Sequence, residues 1–395
     1  MRILAATTAG AGHLAGLLPF ARACVRAGHA VRIAAPASFG DSVRLAGFVH
    51  EPLGDADPAA LGAVFGRIPM LSMQEADDLV IQEVFGRLVR DAALPGMRAA
   101  CDRWHPDVVL REPAELASYI AATERGIPHV QTNIGLNSLD DRLLPLLETS
   151  VEELGCTTAG LREAPRWTTV PPSFDQLAHV TSGPVTYARH PADDGSSAGP
   201  LPRWWSDRED RPLVYVTFGS VAAGIGLFPG FYARVLDQLA DLQARVLLTL
   251  GEAGDVTALG AVPPNVHVER WWPQQDVMPH ASVVVGHGGF GTTQAAMAAA
   301  VPQVALPLFT FDQFVNADRV TAVGVGLGLV DGTASDRRAG DIVPRGPQAT
   351  DRLAVAISTV LGRQDLAETA RRLRAEMHAL PSVDDCVASL EARPG

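Results

Sequence analysis

Short apolar strands alternate with helix-forming runs along this chain, and the pattern is laid down twice. The first half opens with strand Arg2–Thr8, a glycine turn, a helix from Leu14 to Ala27 with Gly28 as its stop, and strand Ala30–Ala35. Asp107–Leu110, a helix and His129–Thr132 follow. The pattern restarts with strand Leu213–Phe218, the turn Gly219-Ser220 and a helix near Phe228–Leu242. Strands Arg245–Leu250, Val266–Glu269, Ser282–Val285 and Gln303–Leu306 complete it. Strands this apolar have no wet face, so they belong in parallel sheets covered by helices on both sides. At 395 residues and 47% hydrophobic content the chain exceeds one ordinary core, so two doubly wound α/β domains are expected. The polar stretch His190–Pro202 reads as the linker. The expected division is residues 1–195, residues 196–375 and a terminal helical piece, residues 376–395, within a helical tail from Gln348 to Ala392. Residues 51–94 interrupt the first half as an irregular insertion of the kind that shapes a ligand pocket.

A net charge of -12 argues against nucleic acid or an anionic membrane as a partner. All basic residues are arginine, so no lysine is present to neutralise a phosphate or form a Schiff base. Cys24, Cys101, Cys156 and Cys386 are scattered, without a CxxC pair, and indicate neither a zinc site nor a disulfide framework. The first strand starts at once, with no signal-peptide pattern, and no apolar run is long enough to span a bilayer. A cytoplasmic protein is expected.

The chemistry concentrates between Trp271 and Ala317. Strand Ser282–Val285 ends in His287-Gly288-Gly289-Phe290-Gly291-Thr292-Thr293, and a helix-forming run follows. A strand feeding a glycine turn into a helix N-terminus aims free N–H groups and the positive end of the helix dipole at one spot. Glycine lets a phosphate approach the backbone, and the threonines add donors. The tandem Trp271-Trp272 cannot bury both rings on one strand face, since neighbours alternate. Asp312-Gln313 suits vicinal hydroxyls, although an aspartate there equally suits a helix cap. Together these residues suggest a nucleoside diphosphate carrying a polar group.

Trp271-x-Pro273-Gln274, His287-x-Gly289, Gly291-Thr292, Val301-Pro302, Pro307, Asp312-Gln313 and Asn316-Ala317 resemble the donor-site signature of family 1 glycosyltransferases, nearest to their bacterial natural-product branch. The resemblance implies a GT-B fold, two Rossmann-like domains facing a cleft, with the last helix crossing back onto the first domain. It assigns donor binding to Ser220, Trp271 (stacking on the base), Gln274, His287, Gly289, Gly291, Thr292, Asp312 and Gln313 (the pair holding sugar hydroxyls). Gly12-His13 with Pro19 resembles the family's catalytic-histidine motif, and Glu112 falls where many members carry an aspartate that orients the histidine. Glu115 is the fallback, and Arg111 is placed to capture the carboxylate in a local pair.

From the residues alone, Gly10-Ala11-Gly12-His13 also allows a dinucleotide-binding turn. That reading needs an acidic residue after the second strand, and Ala34-Ala35-Pro36 stands there instead. At a helix N-terminus His13 is kept neutral, as a base must be. Relatives that use ribonucleotides carry a glutamate where this chain has Ala295, after Gln294, so a dTDP-sugar is expected over a UDP-sugar.

The expected reaction is inverting transfer to a hydroxyl of an aglycone, with Phe65, Met70, Met73 and Phe85 lining the acceptor pocket. No metal and no cofactor beyond the nucleotide sugar is expected, and Asp55-Ala56-Asp57 reads as a solvated turn. The partners are small molecules, without nucleic acid or stable membrane association, and a homodimer is left open. A UDP-sugar-using GT-B epimerase or lipid-linked-sugar transferase, or a silent nucleotide-sugar-binding partner, stands as the alternative.

Overall fold

In the computed structural model, which describes residues 1–175, 182–190 and 210–391, the strands form two parallel sheets. The first contains β1 (Arg2–Ala6), β2 (Ala30–Pro36), β3 (Val49–Leu53), β4 (Val108–Arg111), β5 (His129–Thr132), β6 (Arg166–Thr168) and β7 (Val185–Tyr187). Their order is β3-β2-β1-β4-β5-β6-β7. The second contains β8 (Leu213–Thr217), β9 (Arg245–Thr249), β10 (Val266–Glu269), β11 (Val283–Gly286), β12 (Gln303–Ala305) and β13 (Gly326–Gly328), in the order β10-β9-β8-β11-β12-β13. Every residue of β8 and β11 is buried. Such two-sided burial is what continuous valine and leucine runs satisfy in a parallel sheet. This is the α/β architecture the alternating pattern predicts.

Residues 1–67, 76–175, 182–190 and 379–391 pack as one unit, and residues 68–75 and 210–378 as another. The short segment 68–75 joins the second unit because its backbone pairs there. Ser72 bridges Arg338 in antiparallel fashion, and Met73 N–H donates to Arg337 O at 2.7 Å. The last helix, Val383–Glu391, belongs to the first unit. Its Val383, Cys386, Val387 and Leu390 share a core with Leu17 and Phe20, and Arg26 Nη2 meets Asp384 Oδ1 at 2.8 Å. The expected linker lies, from residue 191 to 202, outside the described residues.

The insertion after β3 is not irregular. It holds the helices Pro58–Phe65 and Met73–Leu79 and a π-helical stretch, Val80–Val89, that continues into the helix Arg90–Trp104. The four cysteines are all buried free thiols. No described helix is long and apolar enough to cross a membrane.

In each sheet the strand order reverses direction once beside the first strand: between β1 and β4, and between β8 and β11. Chain leaving the carboxyl ends of such a pair goes to opposite faces of the sheet and leaves a crevice, where open α/β sheets bind ligands. Ile3 of β1 lies beside Val108 of β4, and Val216 of β8 beside Val285 of β11. The segments that follow these four strands carry His13, Glu112, Ser220 and the turn from His287 to Thr292.

Candidate active site

In the first unit, β1 runs through Thr7 and Thr8 into the helix Ala11–Arg26. That helix starts three residues earlier than the apolar pattern indicates, because extended Gly10 (φ -166°) is its N-cap. His13 therefore sits in the first turn. Gly28, at φ +83°, follows the helix in the left-handed conformation that suits a glycine stop. On the neighbouring strand, β4 delivers Glu112 to the same crevice.

The two side chains meet. His13 Nδ1 lies 3.1 Å from Glu112 Oε1, with the carboxylate fully buried and the imidazole about a quarter exposed at 26%. Thr8 joins both: its hydroxyl donates to Glu112 Oε1 at 3.0 Å and lies 3.0 Å from His13 Nδ1. Thr8 N–H donates to the same oxygen at 3.0 Å, and Ala114 N–H donates to Oε2 at 2.6 Å. Burial alone pushes the Glu112 carboxyl up. His13 and the two backbone donors outweigh it and hold the group below the ordinary glutamate value. An ionised carboxylate thus backs the imidazole.

Arg111 does not capture that carboxylate. Its wholly buried guanidinium turns to Gln131 Oε1 at 2.6 Å and to the Glu112 carbonyl oxygen at 3.3 Å. Burial and the nearby Arg166 lower it to about 10. Glu115 caps the helix Leu116–Arg125, accepting from Ser118 N–H at 2.9 Å, and burial pushes its carboxyl up to about 7. Of the two glutamates, Glu112 is the one at the histidine.

Gly10 is a close approach. A Cβ there stands 2.8 Å from His13 Cδ2, while the extended backbone admits alanine without strain. Gly10→Ala is therefore expected to leave the fold intact, push the imidazole off Glu112 and lower kcat by about 10–100-fold, as a misplacement near 1 Å does. Turnover and a thermal melt measured together check this; an unchanged kcat removes the constraint.

In the second unit, β11 runs through His287 and Gly288 to the helix Phe290–Ala298, whose N-cap is Gly289. No side chain caps this helix. Its first-turn N–H groups keep their hydrogen-bonding capacity for an anion. Gly291 has open space where a Cβ stands, so the backbone is bare on that side. Gly288, at φ +78°, packs against the Gln313 carbonyl, which a Cβ meets at 2.7 Å.

His287 is wedged between two glycines. A Cβ on Gly219 comes 2.8 Å from its Cε1, and one on Gly289 comes 2.3 Å from its Nε2. Its ring stacks on Phe309 with centroids 5.8 Å apart. Burial holds the imidazole near 4, so it is neutral in neutral solution. Gln274 Nε2 donates to Thr292 Oγ1 at 3.0 Å, which leaves the threonine hydrogen to donate elsewhere.

Ser220 is exposed in the turn after β8, and the π-helical stretch that follows, Ala223–Leu227, has Ala222 as its N-cap, so the serine caps no helix. Trp271 is exposed, whereas Trp272 packs against the core that contains Val277 and Met278.

Several expected roles move. Met73 is 1% exposed inside the second unit's core, held there by the pairing of residues 72–74 with 334–338, so it lines no acceptor pocket. Phe65 and Met70 are exposed. Phe85 is the residue of the four found at His13, with ring centroids 5.8 Å apart. Gln313 is buried, and its Oε1 accepts from Leu308 N–H at 2.8 Å and Phe309 N–H at 3.1 Å. It braces the loop, while Asp312 beside it stays partly exposed. Asn316 Nδ2 donates to Gly288 O at 2.7 Å and fixes the glycine turn. Asp55 accepts from Ser38 N–H, in the segment after β2, at 3.1 Å, and Asp57 caps the helix Pro58–Phe65.

Thr8 and Phe309 went unread in the sequence. A threonine at a strand end carries no signal of its own; its place opposite Glu112 comes from strand order.

The chain matches the family model described as erythromycin biosynthesis protein CIII-like in both its parts, the N-terminal domain over residues 22–219 and the C-terminal domain over residues 233–393. It is 33% identical to L-demethylnoviosyl transferase of Streptomyces niveus, over 83% of this chain and 85% of that protein. It is 27% identical to TDP-daunosamine transferase DnrS of Streptomyces peucetius, over 99% of this chain and 96% of that one. Among solved structures, the glycosyltransferase SnogD from Streptomyces nogalater superposes with a TM-score of 0.72 at 28% identity, covering 99% of each chain.

Proposed function

We propose, because this chain belongs to the erythromycin biosynthesis protein CIII-like family of glycosyltransferases, that it moves a deoxysugar from a dTDP-linked donor to a hydroxyl of a natural-product aglycone, with inversion. The observation that carries the reading is the ionised Glu112 set against His13 at the switch point of the first sheet. An imidazole held at Nδ1 by a carboxylate is oriented to accept a proton at Nε2.

In the proposed step Nε2 takes the acceptor hydroxyl proton. The acceptor oxygen forms a bond to the anomeric carbon as the bond from that carbon to the diphosphate oxygen breaks. The electron pair leaves on the diphosphate, which the first-turn N–H groups of the helix Phe290–Ala298, the Thr292 hydroxyl and neutral His287 stabilise. Ser220, Gly289 and Gly291 complete that cradle, Trp271 stacks on the base, and Asp312 accepts from sugar hydroxyls. Gln274 acts through Thr292, and Gln313 through the loop it braces. Phe85 offers an apolar face beside the base for the aglycone. The setting proposed is the cytoplasm.

The donor nucleotide follows from position 295. Ala295 offers no carboxylate to a ribose 2′-hydroxyl, and Gln294 beside it is buried. A site without that acceptor gains nothing from a ribonucleotide. The name TDP-daunosamine transferase DnrS, carried by a relative across nearly the whole chain, supports the same choice.

Melting curves with dTDP and UDP, each at the same excess, test it. A nucleotide present at 100 times its dissociation constant stabilises by about 2.7 kcal/mol. dTDP is expected to raise the melting temperature more than UDP, and dTDP-rhamnose to turn over faster than UDP-rhamnose on the same aglycone. A clear preference for UDP in both assays overturns the donor assignment.

A further inference from the structure

We infer that Thr8 is a positioning residue that fixes His13 in its Nδ1–H tautomer and adapts the site to a glutamate at position 112. The inference rests on the reading of His13 as the base and adds what holds that base in one form.

The argument is a count of hydrogens. Glu112 is buried and ionised, so both its oxygens only accept. Thr8 Oγ1 donates its single hydrogen to Glu112 Oε1 at 3.0 Å; the alternative, a hydroxyl turned to a bare Nδ1, would set that ring lone pair 3.1 Å from an ionised oxygen with no hydrogen between them. Towards His13 Nδ1, also 3.0 Å away, the same oxygen has only lone pairs to offer. Nδ1 must therefore carry the ring proton, shared between Thr8 Oγ1 and Glu112 Oε1 at 3.1 Å. Nε2 is left with its lone pair, the form a base needs. Thr8 is 3% exposed, so water does not compete for these positions.

The same contacts account for a glutamate working here. The longer side chain gives the carboxylate more torsional freedom than an aspartate has. Two donors from Thr8, its N–H and its hydroxyl, converge on Oε1, and Ala114 N–H holds Oε2. With three donors the carboxylate is fixed in place of the freedom its extra methylene adds.

Ring ¹⁵N spectra of histidine-labelled protein test this without any ligand, with His13 assigned by its disappearance in His13→Gln. The wild type is expected to show His13 as the Nδ1–H form. Thr8→Val keeps the shape and removes the hydroxyl; it is expected to show a mixture of both tautomers and, on dTDP-rhamnose, a kcat lowered roughly 10–100-fold out of the 10²–10⁴ a positioned base supplies, with KM unchanged. Thr8→Ser keeps the hydroxyl and should restore the Nδ1–H form and most of kcat. Should the valine variant fail to fold, Thr8→Ala takes its place. A valine or alanine variant that retains a pure Nδ1–H signal overturns the inference, as does a serine variant no better than valine. If His13→Ala leaves turnover unchanged, the base reading itself falls. An inactive His13→Ala beside a fully active Thr8→Val sinks Thr8 alone.

Discussion

Alanine at position 13 is expected to lower kcat by about 10²–10⁴-fold, the range a positioned general base contributes. The imidazole is the titratable group in the crevice after β1 that an ionised carboxylate backs, through a 3.1 Å contact. Removing it leaves Glu112 its hydrogen bonds from Thr8 and Ala114 but takes away the first of the influences that offset its burial, so the carboxyl is expected to rise and a thermal melt accompanies the assay. The groups proposed for the donor belong to the second unit, so the dTDP-induced rise in melting temperature is expected to persist. A fall in kcat with donor binding retained separates lost chemistry from lost binding. The pH profile adds a second signature. Glu112 lies below the ordinary glutamate value, so what its charge contributes is present above that value and lost only as pH falls through the lowered one. Glu112 thus stays charged throughout the neutral range, and the acid limb of wild-type kcat/KM reports the imidazole. That limb should vanish in His13→Ala. Turnover that survives intact, limb included, places the base elsewhere.

What could be read ahead of the structure follows a physical division. β1, β8 and β11 are continuous apolar runs, so sheet and parallel sense are written locally. The glycines after β11 are equally local, because a strand, a bare turn and a helix N-terminus make the anion site without help from distant residues. β6, β7 and β13 are three residues each, too short for any period to register, and β6 buries Arg166 where an apolar residue is the norm. β3 carries Pro52 and sits at the sheet edge, where the missing N–H is tolerated. The misplaced side chains share one cause. Met73 reads as a pocket residue, but residues 334–338 pair with its backbone and its side chain is buried in that core; Gln313 reads as a sugar ligand, and its oxygen also braces the turn at Leu308 and Phe309. Thr8 is the same case in reverse: an ordinary threonine becomes the link between His13 and Glu112 only because β1 and β4 are neighbours. Residue types announce chemistry, but contacts across the chain decide which of them perform it.

That division makes Gly289→Ala the sharpest probe of the donor half. The backbone at Gly289 (φ -62°, ψ 137°) is extended in a region open to any residue, so alanine brings no conformational strain. The whole effect falls on what the new methyl meets. It arrives 2.3 Å from His287 Nε2, far inside contact distance. Phe309 covers one face of the ring, so the ring can yield only by tilting, towards the room that glycine at position 219 leaves beside its Cε1. The imidazole must tilt, and the methyl itself then stands at the mouth of the first-turn N–H groups. Both changes strike where negative charge grows on the leaving diphosphate. Loss of one such donor ordinarily costs about 10²–10³ in kcat, and kcat/KM for dTDP-rhamnose is expected to fall by at least that much. dTDP should lose most of its stabilisation of the fold, while the nucleotide-free melting temperature stays near that of the wild type. Gly291→Ala is the contrast, because a Cβ there meets nothing within 4 Å in the protein. It is expected to raise the dTDP dissociation constant through crowding of the ligand alone, leaving His287 in place. If Gly289→Ala binds dTDP and turns over as well as the wild type, the diphosphate does not sit on this helix, and the neutral, lysine-free cradle has been assigned to the wrong end of the sheet.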